Sequence, residues 1–250
     1  MAIIRLQHIG TAVGDFDLVT RSLQRLGLPT RDFRNDQGRG FQHDSRVLLG
    51  NECWLHVVHN WNPEARVNQF LHREGEGLEH LALESDDIES DVERVRALGV
   101  PLFEDKIFDA NDGYEAFVFP DDGIGFTVEL IQPHVKSWAY PDDARGEPVS
   151  AELGVVRTHA VRAAVDDVDA ATGRFEQLFG LAAKDGSIPL GNAVLELHQK
   201  SERVGLDRLS LTSTSVEHDL EFLRSVDARF RDERSFDSEF GFEFELRPES

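Results

Sequence analysis

One short pattern recurs four times along the chain, and it constrains the fold more than any other feature. A strand-like segment runs to Val13, and behind it Phe16, Val19, Leu23 and Leu26 fall on one helical face. HLALES precedes Ile88, Val92, Val95 and Leu98, and HAVRAAV precedes Val168, Ala171, Phe175 and Leu178. RLSLTS precedes Val216, Leu220, Leu223 and Val226. Each set recurs at helical spacing, so each predicted helix buries one apolar stripe. Gly27, Gly99 and Gly180 supply a stop to three of these helices, and Asp227 stands at the end of the fourth. Runs with strand character follow every helix: FQHDSRVLL and ECWLHVVH, YEAFVFP and GFTVELIQ, NAVLELHQ, and FGFEFELRP. The expected class is α+β, as four tandem βαβββ units.

The stretch containing WAYPDDARGEP interrupts the repeat, so the expected domains are 1–134 and 152–250 with a linker at 135–151. A chain of 250 residues holds two such domains with real cores. Its 47 acidic and 26 basic side chains leave a net charge of −21. That charge repels phosphate backbones and anionic membranes, so neither nucleic acid nor a membrane is an expected partner. No run approaches the roughly 18 apolar residues of a membrane span. MAIIRLQHIG lacks the apolar stretch and cleavage site of a signal peptide, and the lone Cys53 fits a reducing compartment. The expectation is a soluble, cytoplasmic protein.

Alternation along strands singles out four side chains. His8 shares a strand face with the small residues Gly10 and Ala12, and His80 shares one with Ala82 while Leu81 and Leu83 point inward. His56 sits with Trp54 and Val58, and Glu129 faces away from Val128 and Leu130. Equivalent positions of two repeated units thus carry His8 and His80, and the last strands of those units carry His56 and Glu129. Three imidazoles and a carboxylate brought to one point would make a divalent transition-metal site.

At these residues the first half resembles the vicinal oxygen chelate superfamily of glyoxalases, methylmalonyl-CoA epimerases, extradiol dioxygenases and bleomycin-resistance proteins. HIGTAVGDFD, from His8, looks like that family's opening strand and turn, and the segment from Asn68 to Ile88 is similar to the epimerase branch around His80. LHVVHNWN places His56 where a Glu or Gln ligand usually lies, and GIGFTVELIQP puts Glu129 in the last ligand position. The resemblance implies two vicinal-oxygen-chelate-type domains with curved, mostly antiparallel sheets. It also implies one divalent ion (Zn, Ni, Co, Mn or Fe) held by His8, His56, His80 and Glu129. The second half reads as a decayed copy: Arg208 stands for His80, Ala160 or His159 for His8, and Glu196 and Glu245 keep the carboxylate positions.

The implied chemistry is an epimerase, isomerase or lyase acting on a small carbonyl or thioester through a metal-stabilised enolate, with Glu129 as ligand and base. The loop carrying the epimerases' second acid–base Glu reads NDQGRGFQHD, with Phe41 or Gln42 at that point and His43 and Asp44 as substitutes. An Fe(II) dioxygenase is the alternative, with His8, His80 and Glu129 as a facial triad and His56 as an acid–base group; the tyrosine such enzymes carry is Phe117 here, with Tyr114 out of register. A binding protein that sequesters a drug is the second alternative, which an intact ligand set disfavours. The implied partner is a small-molecule substrate, and the chain a monomer or homodimer. Weaker candidates are His59, Asn60 and Trp61 at the end of their strand, Arg39 and Arg46 for an anionic substrate, and Gly75 and Gly77, which shape a turn.

Overall fold

A computed structural model describes residues 3–35, 42–50, 53–110, 113–120, 124–134 and 151–249, without the side chains of 31–35 and 42–44. The first unit of the repeat is β1 (Ile3–Ala12), α1 (Phe16–Arg25), β2 (Thr30–Asn35), β3 (Gln42–Leu48) and β4 (Trp54–Asn60). A helix that the repeat does not predict, α2 (Arg66–Glu74), comes next. The second unit is β5 (Gly77–Ser85), α3 (Ile88–Ala97), β6 (Phe108–Asp109), β7 (Gly113–Val118) and β8 (Thr127–Pro133). The third is β9 (Val155–Val165), α4 (Val168–Phe179), β10 (Ser187–Pro189) and β11 (Val194–Gln199). The fourth is β12 (Gly205–Ser213), α5 (Val216–Ser225), β13 (Ser235–Asp237) and β14 (Glu243–Pro248). The class is α+β, as expected. The last two units carry two strands behind the helix rather than three.

The four helices begin and end alike because the same local chemistry is repeated. Asp15, Asp87 and Asp167 cap the backbone N–H groups of Leu18, Ser90 and Ala170, and Ser215 holds that place at α5 without such a bond. Gly27, Gly99 and Gly180 end their helices with φ between 69° and 77°. Asp227 takes the same left-handed backbone at φ 56°; Asp is among the few residues with a side chain that do so readily.

Two mixed sheets result, with strand orders β2-β3-β4-β1-β5-β8-β7-β6 and β10-β11-β9-β12-β14-β13. Hairpin neighbours pair antiparallel, whereas β5 with β8, β9 with β11 and β12 with β14 pair in parallel. The helix between the opening and closing strands makes parallel pairing possible. The linker expected at 135–151 lies, except for Ala151, outside the described residues.

The sheets follow the two halves of the chain, but the compact units do not. One unit gathers Met1–His8, His80–Ala139 and Ala160–Leu206, and the other Ile9–Glu79, Tyr140–His159 and Asp207–Ser250. In the first, α3 buries Val92 and Val95 and α4 buries Phe175 and Leu178. Arg94 Nε donates to the Leu178 carbonyl at 2.8 Å. In the second, α1 buries Val19 and Leu23, and α5 buries Leu220 and Leu223. Each such side chain contributes ~1.5–3 kcal/mol on burial, so the stripes read from the sequence are what the helices bury. Within the first unit, Gly191 at φ +80° lies so close to β1 that a Cβ there would sit 2.2 Å from the Ile4 carbonyl oxygen.

Candidate metal centre

Three strands of the first compact unit bring three side chains together. β5 and β8 run parallel with His80 beside Thr127 and Ala82 beside Glu129, so His80 and Glu129 look to one face. Phe117 lies directly opposite Glu129 on antiparallel β7, and its ring meets the His80 imidazole edge-on at 5.9 Å. His8 arrives on β1. His80 Nε2 is 3.0 Å and His8 Nε2 3.3 Å from Glu129 Oε2, and the two imidazole nitrogens are 3.1 Å apart. All three residues are at most 5% exposed.

The arrangement fits a metal ion on its own geometry. Imidazole nitrogen and carboxylate oxygen are the donors that first-row divalent ions take. Two donors each ~2.1 Å from one ion lie about 3.0 Å apart at a right angle and about 3.4 Å apart at the tetrahedral angle. The three separations here fall in that range. Among the described residues these three are the group whose ligand atoms converge.

Burial by itself would push the Glu129 carboxyl up. The charge of His8 and hydrogen bonds from His8 and His80 outweigh it, and hold the carboxyl well below the usual carboxylate range. Glu129 is therefore an anion at neutral pH, as a ligand must be. On the other side of His8, Nδ1 is 2.9 Å from the Gln7 side-chain oxygen. Sequence reasoning missed Gln7, because alternation would send it to the face opposite His8.

The remaining candidates are not members of that group. His56 belongs to the second compact unit, on β4 opposite Arg46, and is not a member of the converging group. Arg46 is buried with its guanidinium 5.2 Å from the Trp54 ring centre. His59 and Asn60 serve the strand end: His59 Nδ1 donates to the Val13 carbonyl, and the Asn60 side chain accepts from the Asn62 N–H. Trp61 stacks edge-on against His59. Gly75 ends α2 at φ 81°, a turn role. Tyr114 is exposed against His134, out of the site. Arg39, Phe41 and the side chains of Gln42, His43 and Asp44 lie outside the described residues.

The second half keeps the register of the site without its donors. Arg208 pairs with Glu243 and Ser210 with Glu245, as His80 pairs with Thr127 and Ala82 with Glu129. Arg208 donates twice to Glu243, and Ser210 Oγ donates to Glu245 at 2.6 Å. A guanidinium offers no lone pair to a metal.

Residues 7–119 match the family model of the Glyoxalase/Bleomycin resistance protein/Dioxygenase superfamily, a stretch that includes His8 and His80 and ends before Glu129. That segment is similar to the superfamily the model describes. No curated protein sequence matches it. Two solved structures are similar over 99% of the chain. One is a xylose isomerase-like TIM barrel/4-hydroxyphenylpyruvate dioxygenase fusion protein (14% identity, TM-score 0.72), of which the chain spans about half, 49%. The other is a triple variant of 4-hydroxymandelate synthase from Streptomyces coelicolor (13% identity, TM-score 0.70, 93% of its length). A methylmalonyl-CoA epimerase from Mycobacterium tuberculosis is 24% identical, over 54% of this chain and 93% of its own, with a TM-score of 0.45. The two longer matches establish the fold: two domains of the vicinal oxygen chelate type.

Proposed function

We propose that the chain is a divalent-metal-dependent enzyme whose ion is held by His8, His80 and Glu129, and that it moves a proton on a small carbonyl or thioester substrate as an epimerase, isomerase or lyase. The convergence of two buried imidazoles on one buried carboxylate carries this reading. A bound divalent ion supplies Lewis acidity toward a substrate oxygen, which acidifies the neighbouring C–H. The protein residues supply the rest. Glu129 brings a negative charge that stays ionised, the two imidazoles fix it in place, and burial keeps water from the donors. The likeness of Asn68–Ile88 to the epimerase branch favours proton transfer.

The three-membered donor set favours a second reading. Two His and one carboxylate are the facial triad of Fe(II) oxygenases, and His56 stands outside the converging group. The two readings separate in one experiment on protein loaded anaerobically with Fe(II), Co(II), Mn(II), Ni(II) or Zn(II) in turn. Deuterium exchange from D2O into thioesters and α-hydroxy carbonyls supports proton transfer. Oxygen uptake with the Fe(II) form alone, on catechol-like or keto-acid substrates, supports the dioxygenase. Neither signal with any ion would overturn both. His56→Ala decides that residue's role: lost turnover with metal retained makes it an acid–base group, and loss of both makes it a ligand.

A further inference from the structure

The geometry points to Gln7 as a positioning residue that fixes the ring and tautomer of His8 for metal binding; this rests on the reading of His8 as a ligand. Gln7 is fully buried, and its side-chain oxygen lies 2.9 Å from His8 Nδ1. An amide oxygen only accepts, so Nδ1 carries a proton, and when the other ring proton gives way to a metal ion Nε2 is left as the ligand nitrogen. Nε2 is the nitrogen that faces His80 and Glu129. Imidazole ligands are oriented in this way by a partner on the far ring nitrogen, and losing that partner typically weakens binding 10–100-fold.

β1 is buried on both faces from Leu6 to Ala12, so Gln7 and His8 are both enclosed and the His8 ring meets the Gln7 amide away from water. The other end of the Gln7 amide, Nε2, has no hydrogen-bond partner among the described residues. A buried, half-satisfied amide is costly in an apolar setting. The bond to His8 is the contact that gives the residue a purpose there.

The test is Co(II) titration of the full-length metal-free protein, followed by its visible absorption, in wild type, Gln7→Leu and Gln7→Glu. Glu keeps an acceptor at the same place and Leu removes it. The expected result is a 10–100-fold weaker affinity and an altered Co(II) spectrum in Gln7→Leu, with Gln7→Glu within about threefold of wild type. Equal affinity in wild type and Gln7→Leu would overturn the role of Gln7 while leaving the site intact. Equal loss in both variants would assign the effect to packing and overturn it as well. Wild-type protein that takes up no Co(II) would instead overturn the metal site itself, and this inference with it.

Discussion

Asn192 and Leu6 are joined in both directions: the Leu6 N–H donates to Asn192 Oδ1 and Asn192 Nδ2 donates to the Leu6 carbonyl, each at 3.0 Å. A side-chain amide from the β10–β11 turn thereby pairs with β1 as a neighbouring strand would, two residues before His8. The second half of the chain thus holds β1 two residues before His8.

Replacing Asn192 with Ala removes the donor to a part-buried carbonyl, while the Leu6 N–H keeps the Leu190 carbonyl at 2.9 Å. The expected cost is about 1–2 kcal/mol, read from a denaturant midpoint. Faster amide exchange confined to β1 should accompany it. An unchanged midpoint and exchange rate would show that the clamp is incidental.

Two glycines should respond oppositely to Ala. Gly191 combines φ +80° with a close approach to the Ile4 carbonyl, so Gly191→Ala should cost more than about 1 kcal/mol. Gly173 lies within α4 with open space around its Cβ position, and Gly173→Ala should stabilise by up to ~1 kcal/mol. Thermal melts of the two variants check both signs.

Glu245 gives a pH dependence. Burial pushes its carboxyl up, but the Ser210 hydrogen bond and the neighbouring Arg247 and Arg208 outweigh this and hold it below its ordinary value of 4.5. A carboxylate whose folded value lies below its unfolded value stabilises the fold above about pH 4.5, and that stability is lost as pH falls further. Glu245→Gln should therefore be less stable than wild type at pH 7 by about 1 kcal/mol, with the gap closing toward pH 3. A constant gap across that range would contradict the ion-pairing account.

Much of the fold was legible because its information is local. The helix stripes, three Asp caps and the glycine stops are each written within a dozen residues, and the structure buries Val92, Val95, Phe175 and Leu178 as those stripes require. His80 and Glu129 were readable because β5 and β8 alternate regularly. Gln7 was not, because alternation assigns neighbouring residues to opposite faces and gives no hint of a contact between them. α2 was missed because Arg66–Glu74 is short, lacks a side-chain cap and buries only Val67 fully. The mixing of both halves in each compact unit depends on contacts between residues far apart in the chain, such as Leu6 with Asn192, which no local pattern records.

Arg208 tests whether the second half takes part in metal binding. Its guanidinium is spent on Glu243, and the equivalent of Glu129, Glu245, is bonded to Ser210 and Arg247. Arg208→Ala should leave metal content unchanged; a loss matching that of a ligand variant would place a donor in this half.

The most direct test of the central claim is elemental analysis of protein purified anaerobically, with His80→Ala alongside. The donors sit 3.0 to 3.3 Å apart around one point, so wild type should carry close to one divalent ion per chain. His80→Ala should lose it while keeping its far-ultraviolet circular dichroism. Metal content unchanged in His80→Ala, or no metal retained by wild type after loading and desalting, would contradict the account.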